Sequence, residues 1–309
     1  MTQTKKDNLP LVSVIIPTYK RIPNIKRALD SINKQTYSNL QIIVVNDDPH
    51  TNIKKRLSKY KGVYYINNRK NLGSAESRNR GIKVSRGKYV AFLDDDDMWL
   101  PEKIQKQVEV MENLSDEWVG VYTLCIKTRS LEAFNKRKFK LSKSNYEGDF
   151  TYELLSGTKN LYIGAGSSLL VRSNTLKRIN GFDSSFKRHT DYELIIRLLM
   201  EGKIKLLKEA LWVNIGGLNI SNMDIIEDSK FKLLSKFKEQ INALGKFKRD
   251  KIYAHQFLEL SGLYLLDLNI RKSFKYFTKS LSFFPILLAP VEYFSLGIYL
   301  FKGLKRRFH

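Results

Sequence analysis

Four short apolar runs follow one another early in the chain: LVSVIIP (11–17), QIIVVND (41–47), VYYINN (63–68) and YVAFLD (89–94). Runs of this length, almost continuously apolar, read as strands buried on both faces of a sheet. Helical spacing fills the gaps between them. Ile25, Leu29 and Ile32 recur along IPNIKRALDSINKQ, a Gly73-Ser74 turn leads into AESRNRGIKVS, and PEKIQKQVEVMEN opens with proline in a first helical turn. This alternation predicts an α/β fold: a doubly wound, mainly parallel sheet with helices on both faces. In such sheets ligands sit beyond the carboxyl ends of the strands. Those ends carry Pro17-Thr18-Tyr19, Asn46-Asp47-Asp48, Asn67-Asn68-Arg69 and Asp94 to Asp97, so polar residues gather on one edge.

Further along the pattern changes. Residues 127–148, with Lys136, Arg137 and Lys138, read as a long loop or hairpin. LYIGAGSSLLVR (161–172) reads as a strand with a glycine-rich interruption, TDYELIIRLLMEG (190–202) as a helix, and IKLLKEALWVNI as another strand. From about residue 223 the chain turns helical and rich in Lys, Phe and Tyr. The expected organisation is a domain over 1–222 and a basic helical C-terminal region over 223–309.

The 309 residues are 42% hydrophobic, enough to bury a core without staples. A single cysteine, Cys125, excludes a disulfide framework and a four-cysteine zinc module. The N-terminal MTQTKKDNLP has no apolar h-region, so no secretory signal is expected and the protein reads as cytoplasmic. Lys and Arg number 54 against 31 Asp and Glu, a net charge of +23. Such an excess attracts nucleic acid, anionic lipid or a phosphate-bearing substrate without choosing among them, and a generally basic surface explains it equally well. Residues 281–301, LSFFPILLAPVEYFSLGIYLF, are the most apolar stretch, but Pro285, Pro290 and Glu292 make a poor membrane span. They suit an interfacial segment with KGLKRR on anionic headgroups, or a helical hairpin packed on the main domain.

Chemistry concentrates on the polar edge. Four adjacent acids, Asp94 to Asp97, raise one another's pKa unless a cation compensates. A hard divalent ion bridging a diphosphate fits such a strand end, and so does a solvated turn or a calcium loop. Asp47 suits a ribose or base N–H, or else a turn or helix cap. Arg78 suits a phosphate, or else plain surface.

Six blocks, LVSVIIPTYKR, QIIVVNDD, NLGSAESRNRGI, KYVAFLDDDDMWLPEKI, GFDSSF and TDYELIIRLL, occur in the order and spacing of the family 2 glycosyltransferases. Residues 9 to 222 resemble that family. The resemblance implies a GT-A fold and an inverting transfer of a sugar from a nucleotide diphosphate. It implies that Pro17, Thr18, Tyr19 and Arg21 bind the donor nucleotide, Tyr19 by stacking. Asp47 would meet the uracil ring, Arg78 the donor, Asp95 the ribose, and Asp96 a divalent metal, Mg2+ or Mn2+. Trp99 would help shape the sugar pocket, Gly164, Ala165 and Gly166 would lie near the acceptor, and Asp191 would be the catalytic base. Without the resemblance Asp191 reads as an ordinary helix N-terminal acid.

The resemblance further implies a UDP-sugar donor of a hexose or N-acetylhexosamine. The acceptor would be a glycan or glycolipid of bacterial polysaccharide, lipooligosaccharide or lipid-linked oligosaccharide synthesis. The expected location is the inner face of the cytoplasmic membrane, with peripheral contact to anionic lipid and no nucleic-acid partner. Two departures stand out. Thr190 replaces a frequent glutamate before the base, and Asn214 and Gly216 occupy a frequent Arg-x-His pattern, which implies fewer protein ligands for the ion. PTYKRIPN after the first strand lacks G-x-G-x-x-G and excludes a dinucleotide fold. The same turn lacks the glycine-rich basic loop of a sugar-1-phosphate nucleotidyltransferase, and no module of a nucleic-acid-binding protein is present.

Overall fold

The structure is a computed structural model that describes residues 9–157, 161–164, 166–216 and 222–284. Its strands are β1 (Val12–Thr18), β2 (Leu40–Asn46), β3 (Val63–Asn67), β4 (Tyr89–Phe92), β5 (Met98–Trp99), β6 (Trp118–Thr128), β7 (Lys140–Leu141), β8 (Leu170–Arg172) and β9 (Lys203–Ile215). They form one sheet in the order β3-β2-β1-β4-β8-β6-β9-β5, with β7 paired to β6. β1 to β4 are mutually parallel. β8 runs antiparallel to both β4 and β6, and β9 is parallel to β6. β1 to β4, β6 and β9 therefore share one direction, and their carboxyl ends lie on one edge.

Helices α1 (Ile22–Asn33), α2 (Ile53–Arg56), α3 (Ser74–Val84), α4 (Lys103–Glu112) and α5 (Leu131–Asn135) fall between the early strands. α6 (Thr151–Leu155), α7 (Ser173–Arg178) and α8 (Thr190–Glu201) follow, then α9 (Met223–Lys236), α10 (Lys238–Ala243), α11 (Lys246–Leu266) and α12 (Ile270–Phe283). Side chains alternate across a strand, so β1 serves both faces of the sheet. Val14 and Ile16 join Ile25, Leu29 and Ile32 of α1 in one buried cluster. Ile15 faces α3, where a Cβ on Gly81 would lie 2.4 Å from Ile15 Cγ2. Glycine at that position lets α3 press onto β1, and Arg78 sits one helical turn earlier.

The structure revises one sequence expectation, adds a strand and bears out a third reading. The strand expected over 161–172 is confined to Leu170–Arg172, because the Gly164 carbonyl accepts from the N–H of Ser168 and curls the preceding backbone into a turn. β6 had no counterpart in the sequence reading, yet it joins β8 to β9. The stretch 127–148 contains α5, and β7 pairs antiparallel with β6 through Ile126↔Leu141 and Lys127↔Lys140, which is the hairpin.

Contacts divide the described residues into two compact units. The first holds the sheet, α1 to α5, α7 and α8. The second takes α6, Lys187–His189 and α9 to α12. Its core includes Phe257, Leu260, Tyr264 and Tyr276, with the Phe257 and Tyr276 rings stacked at 6.1 Å. Buried Lys230 donates to Gln256 Oε1 at 2.6 Å and Glu259 Oε2 at 2.7 Å, and Gln256 Nε2 donates to the Leu155 carbonyl of α6. Residues 285–301 of the apolar stretch lie outside the described residues. Among those described, no helix is long and apolar enough to cross a membrane.

Two stability predictions follow from buried charge. Glu193 of α8 is fully buried and grips Arg197, whose guanidinium also donates to the carbonyls of Ile179 and Gly181. Glu193→Ala strands that cation and is expected to cost about 3 kcal/mol, read from urea denaturation; an unchanged midpoint would refute the assignment. In the second unit, burial and then Lys230 push His189 down to about 3. The unfolded chain takes up this proton near 6.5 and the folded chain does not, so stability falls as pH drops from about 6.5 towards 3. His189→Gln should flatten that slope in thermal melts.

Candidate active site

The site starts from the register of β1, β2 and β3. Thr18 pairs with Asn46, and Asn46 with Asn67, so the residues that follow emerge side by side. The Asp47 N–H donates to the Thr18 carbonyl at 2.8 Å, and the Asn68 N–H to the Asn46 carbonyl at 2.9 Å. Tyr19, just beyond β1, is 42% exposed, with the Lys20 ammonium 5.0 Å from its ring centroid. Pro17 is buried in the penultimate position of β1.

Asp47 is buried and heavily engaged. Its Oδ1 accepts from Asn68 Nδ2 at 2.7 Å and from the Leu72 N–H at 2.8 Å, and its Oδ2 accepts from the Gly73 N–H at 2.8 Å. Gly73 has φ +85°, a left-handed conformation that suits glycine at the start of α3. Asp47 thus fastens the 68–73 loop to the sheet, and one lone pair of Oδ2 is left for a ligand. Asn68 is itself oriented by Arg80, which donates to its carbonyl oxygen, and by Ser77.

The four acids after β4 point to different partners. Asp94 Oδ1 pairs with Arg78 Nη2 at 2.5 Å. Asp95 accepts from Thr18 Oγ1 at 2.7 Å and from Arg21 Nη1 at 3.3 Å. The same Arg21 nitrogen reaches Asp96 Oδ2 at 2.8 Å. Asp97 accepts from Ser167 Oγ at 2.6 Å and Asn214 Nδ2 at 3.0 Å. Burial pushes Asp95 up to about 6, against the pull of Thr18 and Arg21. Burial and then Asp94 push Asp97 well above the usual carboxylate range. Mutual repulsion is therefore relieved by two arginines, by hydrogen bonds and by raised proton affinity.

Arg78 is the buried cation of the site, with Phe182 beneath its guanidinium at 5.2 Å. Burial works against its charge, and the fields of Asp94, Asp191 and Asp95 more than offset this, so its pKa is raised. The two expected anionic clusters, the acidic turn and Asp191 in the first turn of α8, thus act on one guanidinium. Gly166 packs against Asp94 so tightly that a Cβ there would lie 2.3 Å from Oδ2.

Trp99 is 2% exposed, and its Nε1 donates to the Ser167 carbonyl at 2.9 Å. It braces Ser167 from behind, and its ring is buried against the Lys103 side chain and the core. Ala165 lies outside the described residues. Direct contact joins Thr18, Arg21, Asp95 and Asp96, and electrostatics joins Arg78, Asp94 and Asp191. Asp47 stands one strand away. Tyr162 was not singled out in the sequence, Asn68 was named there only as part of a polar strand end, and Asn214, flagged as a departure, proves to hold Asp97.

No group of three His, Cys, Asp or Glu side chains among the described residues converges to hold a metal. Asp96, whose carboxylate is partly exposed at the lip of the turn, nevertheless suits a hard divalent ion that takes one or two carboxylates and completes its shell with phosphate and water.

Residues 13–179 match the model of glycosyl transferase family 2. An uncharacterized glycosyltransferase of Methanocaldococcus jannaschii is 28% identical over 94% of this chain and 88% of its own length. The Escherichia coli UDP-Glc:alpha-D-GlcNAc-diphosphoundecaprenol beta-1,3-glucosyltransferase WfgD is 30% identical over 77% of this chain and 86% of its own. Relatives from Haemophilus influenzae and two Rickettsia species are matched over 63% of their own length. Staphylococcus aureus TarS 1-349 in complex with UDP-GlcNAc superposes with a TM-score of 0.57 at 16% identity, over 88% of this chain and 90% of its own. The Pyrobaculum calidifontis mannosyltransferase PcManGT, in complex with GDP-Man and Mn2+, gives 0.54 at 16% identity, over 94% and 88%. The fold is the mixed α/β GT-A fold, with helices at the C-terminal end.

The 164–168 wall can be tested. Gly166→Ala forces the Asp94 carboxylate aside and is expected to cost about 1–3 kcal/mol in chemical denaturation. Gly164→Ala is the control, because its Cβ would meet Trp212 at an ordinary 3.7 Å. Equal stability of the two variants would contradict the packing.

Proposed function

Because this chain belongs to glycosyl transferase family 2, we propose that it transfers a hexose or N-acetylhexosamine from a UDP-sugar to an acceptor hydroxyl, with inversion at the anomeric carbon. The observation that carries this reading is the single buried guanidinium acted on by both Asp94 and Asp191. Asp191 takes the proton of the acceptor hydroxyl as that oxygen forms its bond to C1 of the donor sugar. The bond from C1 to the diphosphate oxygen breaks, and its electron pair leaves with UDP. Arg78, itself buried, offsets the charge that gathers on the departing diphosphate. General-base help of this kind is worth about 10²–10⁴-fold.

The donor nucleotide lies along Pro17, Thr18, Tyr19 and Arg21. Tyr19 stacks on the base, Asp47 Oδ2 accepts from it, and Asp95 meets the ribose. Asp96 would hold a divalent ion, Mg2+ or Mn2+, which would supply Lewis-acid neutralisation of the leaving group. Gly164, Ala165 and Gly166 border the acceptor.

The acceptor is a glycan or glycolipid of bacterial surface-glycan synthesis. The name of the E. coli relative supports a UDP-sugar donor and an acceptor linked through diphosphate to a lipid, and the TarS complex supports UDP. A lipid-borne acceptor places the enzyme at the inner face of the cytoplasmic membrane, in peripheral contact with anionic lipid. The net charge of +23 favours that surface.

A donor screen by UDP release tests the reading. Asp191→Asn should lower turnover by at least about 10²-fold while UDP affinity, read by calorimetry, stays within a factor of two or so. EDTA should suppress transfer by the wild type, and added Mg2+ or Mn2+ should restore it. Normal turnover by Asp191→Asn would discard the base assignment.

A further inference from the structure

Beside the acidic turn the chain makes an excursion, β6–α5–β7, that the proposed chemistry does not use. Lys127, Arg129, Lys138 and Lys140 line a groove of about 580 Å³ there, together with Phe139 and Gly216. No carboxylate lines it, and none of the four cations has an ion-pair partner among the described residues. Glu132 of α5 is already taken by Lys136 at 2.5 Å. Like charges packed this way repel, and Lys127 is also half-buried, which pushes its pKa down. An anion would relieve both costs.

The groove is fixed next to the reacting groups by two routes. Lys127 is the register partner of Asn214, whose side chain holds Asp97. The Lys127 ammonium also lies over the Tyr162 ring at 3.3 Å. Tyr162 in turn is shielded by burial and lies in the fields of Cys125, Asp97, Tyr192 and Asp191. The groove also has an apolar side chain at its edge: Phe139, which lines it, is 39% exposed. Cations beside an exposed apolar side chain match a phosphate carried on a hydrocarbon chain better than a free phosphate.

We propose that this groove binds the diphosphate of a lipid-linked acceptor, with Lys138 and Lys140 as its outer phosphate contacts and Phe139 against the start of the chain. The proposal rests on the reading of the protein as a glycosyltransferase and adds how the acceptor is recognised.

The test is calorimetric, on the full chain saturated with UDP. The probes are N-acetylglucosamine linked through diphosphate to an octyl chain, octyl N-acetylglucosaminide, and inorganic diphosphate. Lys138→Ala/Lys140→Ala should weaken the octyl-diphosphate probe about tenfold, since two exposed ionic contacts are worth about 1.4 kcal/mol together. UDP affinity and the weak binding of octyl N-acetylglucosaminide should not change, and Lys138→Arg/Lys140→Arg should retain tight binding. Both variants sit on exposed side chains and leave the core alone. Equal affinity of wild type and Ala variant for the octyl-diphosphate probe, or no binding of it by the wild type, would overturn the proposal. Loss of UDP affinity would reassign the groove to the donor. Inorganic diphosphate binding as tightly as the octyl probe would overturn the lipid component. A protein that shows the tenfold loss yet transfers no sugar would fail the reaction proposed above and leave the groove standing.

Discussion

The ion pair between Arg78 and Asp94 is the interaction on which the polar edge depends. A guanidinium held inside a protein is tolerated only when charge and hydrogen bonds replace the water it has lost. Asp94 supplies that charge at 2.5 Å, and the Phe182 ring lies beneath. The pair is locked from the other side by Gly166, where nothing larger fits against the carboxylate. Ser167 then donates to Asp97, accepts from the Asp94 N–H, and offers its carbonyl to Trp99. Helix α3, the acidic turn and the 164–168 wall are one mechanical assembly as a result, although they lie far apart along the chain.

Much of this was legible in the sequence, and the limits have physical causes. β1 to β4 announce themselves as short apolar runs because they are buried on both faces. β6 did not, although WVGVYTLCIKT is just as buried. Its apolar character merges into the basic excursion that follows, and its identity as a strand depends on β8 and β9, which pair with it from about 50 and 85 residues away. At the site, Asp94 to Asp97 were conspicuous as a run. What the run could not convey is how its acids are partnered, since Thr18, Arg21, Ser167 and Asn214 reach it only through tertiary folding. Trp99 looked like a pocket residue because of its position after the acids, and burial makes it a brace.

Charge is distributed on two principles in the described structure. Inside, three cations are matched by carboxylates: Arg78 by Asp94, Arg197 by Glu193, Lys230 by Glu259. Around the β6–α5–β7 excursion the lining charges are left unmatched. The first pattern stabilises a unique fold. The second raises the local electrostatic potential, and that is useful to a protein only when something negative arrives.

The environment of Asp47 carries one more consequence. Two backbone N–H groups and the Asn68 amide already point at its carboxylate, and Arg80 keeps that amide from turning round. The group therefore speaks a single chemical language: it can only receive protons. A heterocycle whose edge presents an N–H would be welcomed at Oδ2, whereas one offering a bare ring nitrogen would meet lone pair against lone pair. Were a base bound here as proposed, its selection would fall to Asn68, the residue directly after β3, and to the arginine that stops that amide flipping.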